Sequence, residues 1–132
     1  MNQITVEKVK EILLSFKDDR KFDITRWISL DTIDNKQYAL VFGWVDGYNP
    51  VADNIPLARE DYRVCGKLAY CPLNSIMHEY SMDWIMPTYN DEVYDTESSI
   101  SLDDYDIKVS VEWWLKEWNT MLPLIKEKKI TY

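Results

Sequence analysis

Glycine, cysteine and histidine are scarce in this 132-residue chain, which contains three, two and one of them respectively. The three glycines stand alone, so the sequence has neither a P-loop nor a GxGxxG nucleotide-binding motif. Two cysteines and one histidine without CxxC or HxxxH spacing argue against a zinc site. No calcium-loop spacing of aspartates occurs, and residues 73–132 lack the glycine that such a loop uses for its sharp turn. The sequence therefore predicts no cofactor and no metal site.

Long apolar runs are also missing. No stretch of about 18 apolar residues is available to span a bilayer, and residues 1–5 lack the basic and apolar regions of a signal peptide. We therefore expect a cytoplasmic protein that neither spans nor binds a membrane.

The two cysteines are not expected to form a disulfide. Cys65 and Cys71 would lie roughly 20 Å apart on one extended strand, which is beyond disulfide reach, so we expect reduced, buried thiols.

The scarcity of histidine also limits enzymatic interpretations. Nucleophilic catalysis would have to pair His78 with Cys71, and no flanking glycines or helix N-terminus are present to activate that thiol. A buried cysteine that only packs is the simpler expectation. A small hydrolase or metal-dependent enzyme, using Cys71 and His78 or the acidic residues described below, is the alternative from a different functional class.

Apolar and aromatic side chains are plentiful, at 46% and 14% of the chain. That content is enough for one hydrophobic core, and the length fits one domain over residues 1–132. The patterns below predict an α+β fold: an antiparallel sheet of four to five strands, an N-terminal helix, and a Trp-rich C-terminal helix packed on the sheet.

In the first two thirds of the chain, the spacing of apolar residues is first that of a helix and then that of strands. Apolar residues at helical spacing, with Thr5 as the N-cap, predict a helix over residues 5–18. Alternation over 22–30 and an apolar run over 38–45, separated by Asp34-Asn35, predict a β-hairpin whose second strand is central. A turn-rich loop follows over 46–60, and a third strand is predicted over 62–71.

The last third is less regular. Alternation predicts a fourth strand over 80–86, and the polar run 87–106 predicts a surface loop. Ile107, Val109 and Val111 alternate with polar residues, which favours a short fifth strand. The last helix is predicted to begin near Ser110, to place Trp114 and Trp118 in the core and Trp113 outside it, and to end or kink near residues 119–122 because of Pro123.

Basic residues are absent from residues 68–107, although this stretch carries nine carboxylates. Six tyrosine and tryptophan side chains are interleaved with them. The other 92 residues hold 15 basic and 14 acidic side chains, so the stretch accounts for the net charge of −8. A charge of this sign disfavours direct binding to nucleic acid or to an anionic membrane and favours a basic protein as the partner.

The segregated charge suggests a function in binding. Carboxylates spaced along residues 79–106 could stand in for nucleic-acid phosphates, with aromatic rings stacking on the partner's arginines. Our hypothesis is a non-enzymatic inhibitor of a basic nucleic-acid-handling protein, of the anti-CRISPR or anti-restriction type. An immunity protein against a nuclease toxin is the alternative within that class, and a solvated acidic loop that only aids solubility is equally compatible with the pattern. The expected partner-binding residues are Glu79, Asp83, Tyr89, Asp91, Glu92, Tyr94, Asp95, Glu97, Asp103, Asp104 and Asp106.

Overall fold

The computed structural model describes residues 4–17, 26–44, 63–73, 83–84, 88–89, 92–93 and 96–128, the three residue pairs as backbone only. The elements run in the order α1 (Val6–Phe16), β1 (Arg26–Ile33), β2 (Lys36–Trp44), β3 (Val64–Pro72), β4 (Asp83–Trp84), β5 (Thr88–Tyr89), β6 (Glu92–Val93), β7 (Ser98–Ile100) and α2 (Asp104–Lys126). This arrangement confirms the predicted α+β class: in chain order, the strands of the antiparallel sheet lie between an N-terminal and a C-terminal helix.

Helix α1 forms where the 3–4 spacing of apolar residues predicted it. The Thr5 side chain accepts a hydrogen bond from the backbone N–H of Lys8 at 3.2 Å, which satisfies one of the unpaired amides at the helix start. Val9, Leu13 and Phe16 share the buried face. The helix therefore packs through one apolar stripe and leaves its charged residues outside.

Strands β1 and β2 form the predicted hairpin. Asp34 and Asn35 both adopt positive φ, at 49° and 62°, as a tight turn matched to the strand twist requires. The pairing shifts register between Ser29 and Thr32, so the bulge lies in β1. Because a bulge bends a strand and interrupts its ladder, the regular part of β1 is the stretch from Arg26 to Ser29.

Strand β3 lies beside β2 in unbroken antiparallel register from Lys36↔Pro72 to Trp44↔Val64. Alternate residues of the two strands point to opposite faces, and both faces are buried near the centre. One face contributes to the main core beneath the helices. The other holds a small cluster whose members are Ala39, Val41, Ala69 and Cys71.

The tryptophans of α2 fill the main core, as predicted. Trp114 is fully buried and Trp118 is 5% exposed. Trp114 packs edge-on against Phe42 at a centroid distance of 5.6 Å. Trp113 was expected outside the core, but it is partly buried and packs against the core cluster.

The beginning of α2 differs from the prediction. Ile107, Val109 and Val111 lie in the helix rather than in a fifth strand, and the N-cap is Asp103 rather than Ser110. The Asp103 side chain accepts from the N–H of Asp106 at 3.0 Å. Ile107 and Val111 are buried whereas Val109 is 44% exposed, which is the result of a helical and not an alternating pattern.

The end of α2 and the region predicted as a surface loop also differ from the prediction. Pro123 lies inside the helix, which continues to Lys126. Pro123 has no backbone N–H, so the carbonyl of Asn119, four residues earlier, lacks its usual helical donor. Both residues are exposed, so the missing hydrogen bond lies on the solvent side of the helix. The stretch 87–106 contains β5, β6, β7 and the first turn of α2 where only a loop was expected.

Candidate functional site

The acidic stretch is attached to one edge of the sheet. Strand β2 occupies one side of β3 along its whole length, so β4 and β7 must pair on the other side. Strand β4 pairs at Ala69 and Tyr70, and β7 pairs at Val64 to Gly66. The chain between them therefore leaves the β3 edge at one point and returns to the same edge a few residues away.

We call residues 83–98 the acidic excursion. Its middle contains a second, two-stranded sheet in which β5 pairs with β6, Thr88 opposite Val93 and Tyr89 opposite Glu92. Backbone pairing thus places three of the expected partner-binding residues, Asp83, Tyr89 and Glu92, in strands. Glu79, Asp91, Tyr94 and Asp95 lie outside the described residues.

The returning end of the excursion is held by Thr96, which is 1% exposed. Its hydroxyl accepts from the backbone N–H of Leu68 at 3.1 Å. Its carbonyl accepts from the indole N–H of Trp114 at 3.0 Å. Since Leu68 lies between the parts of β3 that pair with β4 and β7, the Thr96 side chain supplies an acceptor in the gap between these two short strands.

Glu97 follows Thr96 and contacts two side chains of β3. One carboxylate oxygen accepts from the Cys65 thiol at 3.1 Å, and the other lies 3.6 Å from the Lys67 ammonium nitrogen. Glu97 is 46% exposed and Lys67 is 18% exposed. The carboxylate therefore has cationic and thiol partners within the chain.

The three aspartates at the start of α2 also have internal partners. Asp103 caps the helix, and Asp104 accepts from Lys10 of α1 at 2.9 Å. Asp106 accepts from the backbone N–H and the hydroxyl of Ser101 at 2.8 and 3.0 Å. These contacts fix the entry of the chain into α2 and tie that entry to α1.

Asp106 has a cationic neighbour as well, because the Arg63 guanidinium lies 3.8 Å from its carboxylate. Glu97, Asp104 and Asp106 thus each have a basic side chain within 4.0 Å, and all three bases come from outside the cation-free stretch. Lys10 and Asp104 are 94 positions apart. The sequence carries no local signal for such pairs, so sequence reasoning missed Lys10, Arg63 and Lys67.

The charge of the chain divides sharply between two groups of residues. The framework, which we define as residues 4–17, 26–44, 63–73 and 96–128, holds eleven acidic and eleven basic side chains. The net charge of −8 therefore comes from the other positions. Residues 74–95 contribute most of it, with five carboxylates and no lysine or arginine: Glu79, Asp83, Asp91, Glu92 and Asp95.

The predicted site residues consequently fall into two sets. Glu97, at the returning end of the acidic excursion, belongs to the charge-balanced framework together with Asp103, Asp104 and Asp106, and all four have structural contacts. Glu79 to Asp95 belong to a segment without cations that is attached to the β3 edge through β4. An unbalanced field able to attract a basic partner at long range would have to come mainly from this second set.

The residues of the enzymatic alternative are only partly described. The Cys71 side chain is fully buried beside Ala39, Val41 and Ala69, which suits a packing role. Cys65 is partly exposed rather than buried, which corrects the expectation that both thiols lie in the core. His78 lies outside the described residues, so its pairing with Cys71 stays a prediction. Within the described ranges, no three Cys, His, Asp or Glu side chains are grouped to hold a metal ion.

No protein-family model, curated protein or solved structure matches the chain. Among the described residues, no helix is long and apolar enough to cross a bilayer.

Proposed function

We propose that this protein is a non-enzymatic binding protein that inhibits a basic, nucleic-acid-handling partner by presenting its acidic excursion in place of phosphates. One observation carries the proposal: the excursion is attached at both ends to the same edge of β3. This attachment favours the display of its carboxylates from one side of the sheet.

The division of charge supports the same reading. The framework carries as many basic as acidic side chains, so the excess negative charge is concentrated in the remaining segments, residues 74–95 above all. A partner's lysines and arginines, suited to phosphates about 5–7 Å apart, would meet carboxylates there without competing cations from the same segment. Tyr80, Trp84, Tyr89 and Tyr94 would supply aromatic surface for stacking on arginine.

The internal ion pairs restrict the proposed contact surface. Asp104 and Lys10 are 72% and 45% exposed, and exposed pairs of this kind contribute at most about 1 kcal/mol. A partner's arginine could therefore displace Lys10 at low cost. Glu97 and Asp106 have further hydrogen-bonding roles, so we place them at the margin of the surface and Asp91, Glu92 and Asp95 at its centre.

A capture experiment with matched charge variants tests this proposal. The triple variant Asp91→Asn, Glu92→Gln, Asp95→Asn changes the net charge by three within the excursion. The control Glu7→Gln, Asp31→Asn, Glu112→Gln makes the same change at exposed framework positions. The immobilised wild-type protein and both variants are exposed to a bacterial lysate, and duplex DNA is used as the eluant.

If the proposal holds, the wild-type and control proteins retain a basic nucleic-acid-binding protein that duplex DNA releases, and the excursion variant retains several-fold less. A nuclease among the released proteins would favour the inhibitor and immunity classes, and adding the wild-type protein should lower its activity. Equal capture by the two variants, or capture that DNA cannot compete away, would contradict phosphate mimicry.

A further inference from the structure

Helix α2 has an exposed ridge on the side opposite the core. The residues buried beneath the helix include Ile107, Trp114 and Met121. On the other side, exposed residues recur at alternating steps of four and three positions. We call these residues the α2 ridge: Tyr105, Val109, Glu112, Lys116, Asn119 and Pro123. Such alternation is the heptad spacing of positions a and d, through which two helices pack as a coiled coil.

The N-terminal part of the α2 ridge is apolar. Tyr105 is 75% exposed and Val109 is 44% exposed, and they are the two most exposed large apolar side chains among the described residues. Because they are four positions apart on a helix, they lie next to each other. Trp113 and Leu115, which border the ridge on its two sides, are only partly buried. The ridge therefore has apolar surface to bury against another helix.

The middle of the ridge carries one charge of each sign. Glu112 and Lys116 are both exposed, and the ion pairs of the described residues involve neither of them. If a second copy of α2 packs on the ridge in antiparallel orientation, Glu112 of each copy lies opposite Lys116 of the other. Parallel packing would instead place like charges opposite each other, which is unfavourable. The charges therefore favour an antiparallel pair of helices.

The same charge pairing sets the register of the two helices. When Glu112 and Lys116 are paired, Tyr105 of one copy lies opposite Pro123 of the other. A shift by one heptad in either direction would place Glu112 opposite an uncharged residue. Pro123 supplies no backbone N–H, so the exposed carbonyl of Asn119 lacks its helical donor. The Tyr105 hydroxyl of the other copy is a donor at that end of the ridge.

We propose that the α2 ridge binds a second copy of this chain, so that two α2 helices pack antiparallel about a two-fold axis. Two Glu112–Lys116 pairs lie at the centre, and Tyr105 packs on Pro123 at each end. The ridge is about 27 Å long at 1.5 Å per residue. One pair of helices of that length buries less area than a standard interface, so the dimer is weak and depends on concentration. The ridge shares no residue with the acidic excursion, and its pairing does not depend on the proposed function.

Charge exchange tests the proposal, with sedimentation equilibrium of the full-length chain as the measurement. The wild-type protein is expected to dimerise as its concentration rises, in about 0.15 M salt, which screens the repulsion between two negatively charged copies. Glu112→Lys alone and Lys116→Glu alone should each weaken association at least about tenfold, because two attractive pairs become two repulsive ones. Glu7→Lys, at an exposed position of α1, makes the same charge change as Glu112→Lys and should leave association unaltered.

An equimolar mixture of the two single variants separates contacts between copies from contacts within one helix. In the mixture a copy with two cations faces a copy with two anions, so association should return to within about threefold of the wild type. The double variant Glu112→Lys, Lys116→Glu should also retain association. Tyr105→Phe removes one donor at each end of the interface and should weaken the dimer about twofold to tenfold.

Four results would overturn the proposal. A wild-type protein that stays monomeric up to its solubility limit would show that no second copy occupies the ridge. A dimer that both single charge variants leave intact would have to form through another surface. Single variants that lose the dimer and do not regain it when mixed would show that the two charges act within one helix. Tyr105→Phe at wild-type affinity would exclude the assigned register. Circular dichroism of each variant establishes that a loss of association does not come from unfolding.

Discussion

The Thr96 hydroxyl should stabilise the edge of β3, because it accepts from the Leu68 N–H in the gap between β4 and β7. Thr96→Val keeps the shape of the side chain and removes that acceptor. The buried N–H is then left without its partner, which costs about 1–3 kcal/mol. The added methyl group offsets at most about 0.8 kcal/mol of this by apolar burial.

For a chain of this length, 1 kcal/mol corresponds to a shift of about 3–5 °C in the melting temperature. With that offset taken in full, the net loss is about 0.2–2 kcal/mol, so we expect Thr96→Val to lower Tm by about 1–10 °C, measured by circular dichroism or calorimetry. Thr96→Ser is the matched control, because it keeps the hydroxyl and loses only a buried methyl group. Both variants lose stability, Thr96→Val because the hydroxyl acceptor is removed and Thr96→Ser because a buried methyl group is removed.

Amide hydrogen exchange separates the two effects. In Thr96→Val the Leu68 amide should lose protection beyond the loss expected from the change in global stability, whereas in Thr96→Ser it should follow the global change. A Thr96→Val protein that melts within about 1 °C of the wild type, with Leu68 still protected, would refute the assigned role of this hydroxyl.

Three further variants test other contacts. Gly66→Ala places a Cβ 2.8 Å from the Trp114 ring, so we expect a loss of about 1–3 kcal/mol in chemical denaturation, and a loss under about 0.5 kcal/mol would contradict this packing. Asp103→Ala removes the N-cap of α2 and should cost about 1 kcal/mol, most of which Asp103→Ser should restore if capping is the cause. Asp104→Asn breaks the exposed pair with Lys10 and should cost less than about 1 kcal/mol at low salt and still less at high salt. A larger, salt-independent loss would show that this pair is not a surface contact.

Several elements could be predicted because their signals are local. The 3–4 spacing and Thr5 predicted α1, and Asp34-Asn35 predicted a turn whose positive φ angles these residues tolerate. The cation-free stretch 68–107 was evident from composition alone.

The beginning of α2 could not be predicted reliably, because the local signals conflict. Ile107 and Val111 fit both an alternating and a helical pattern, and Asp103 and Ser110 are both good N-caps. Contacts with residues distant in sequence separate the two readings. Ile107, Val111 and Trp114 are buried together in the core beneath the helices, and Asp106 in the first turn of α2 accepts a hydrogen bond from the backbone N–H of Ser101.

The sequence by itself determined α1, the β1–β2 hairpin, β3 and the Trp-rich core helix, since each depends on the spacing of residues close together in the chain. It also determined the segregation of negative charge, which is a matter of composition. Only the tertiary structure decided which carboxylates meet Lys10, Arg63 and Lys67, and that the acidic excursion returns to the edge of β3 from which it departs. Those pairs join positions 30 to 94 residues apart, and no local pattern specifies distances over such separations.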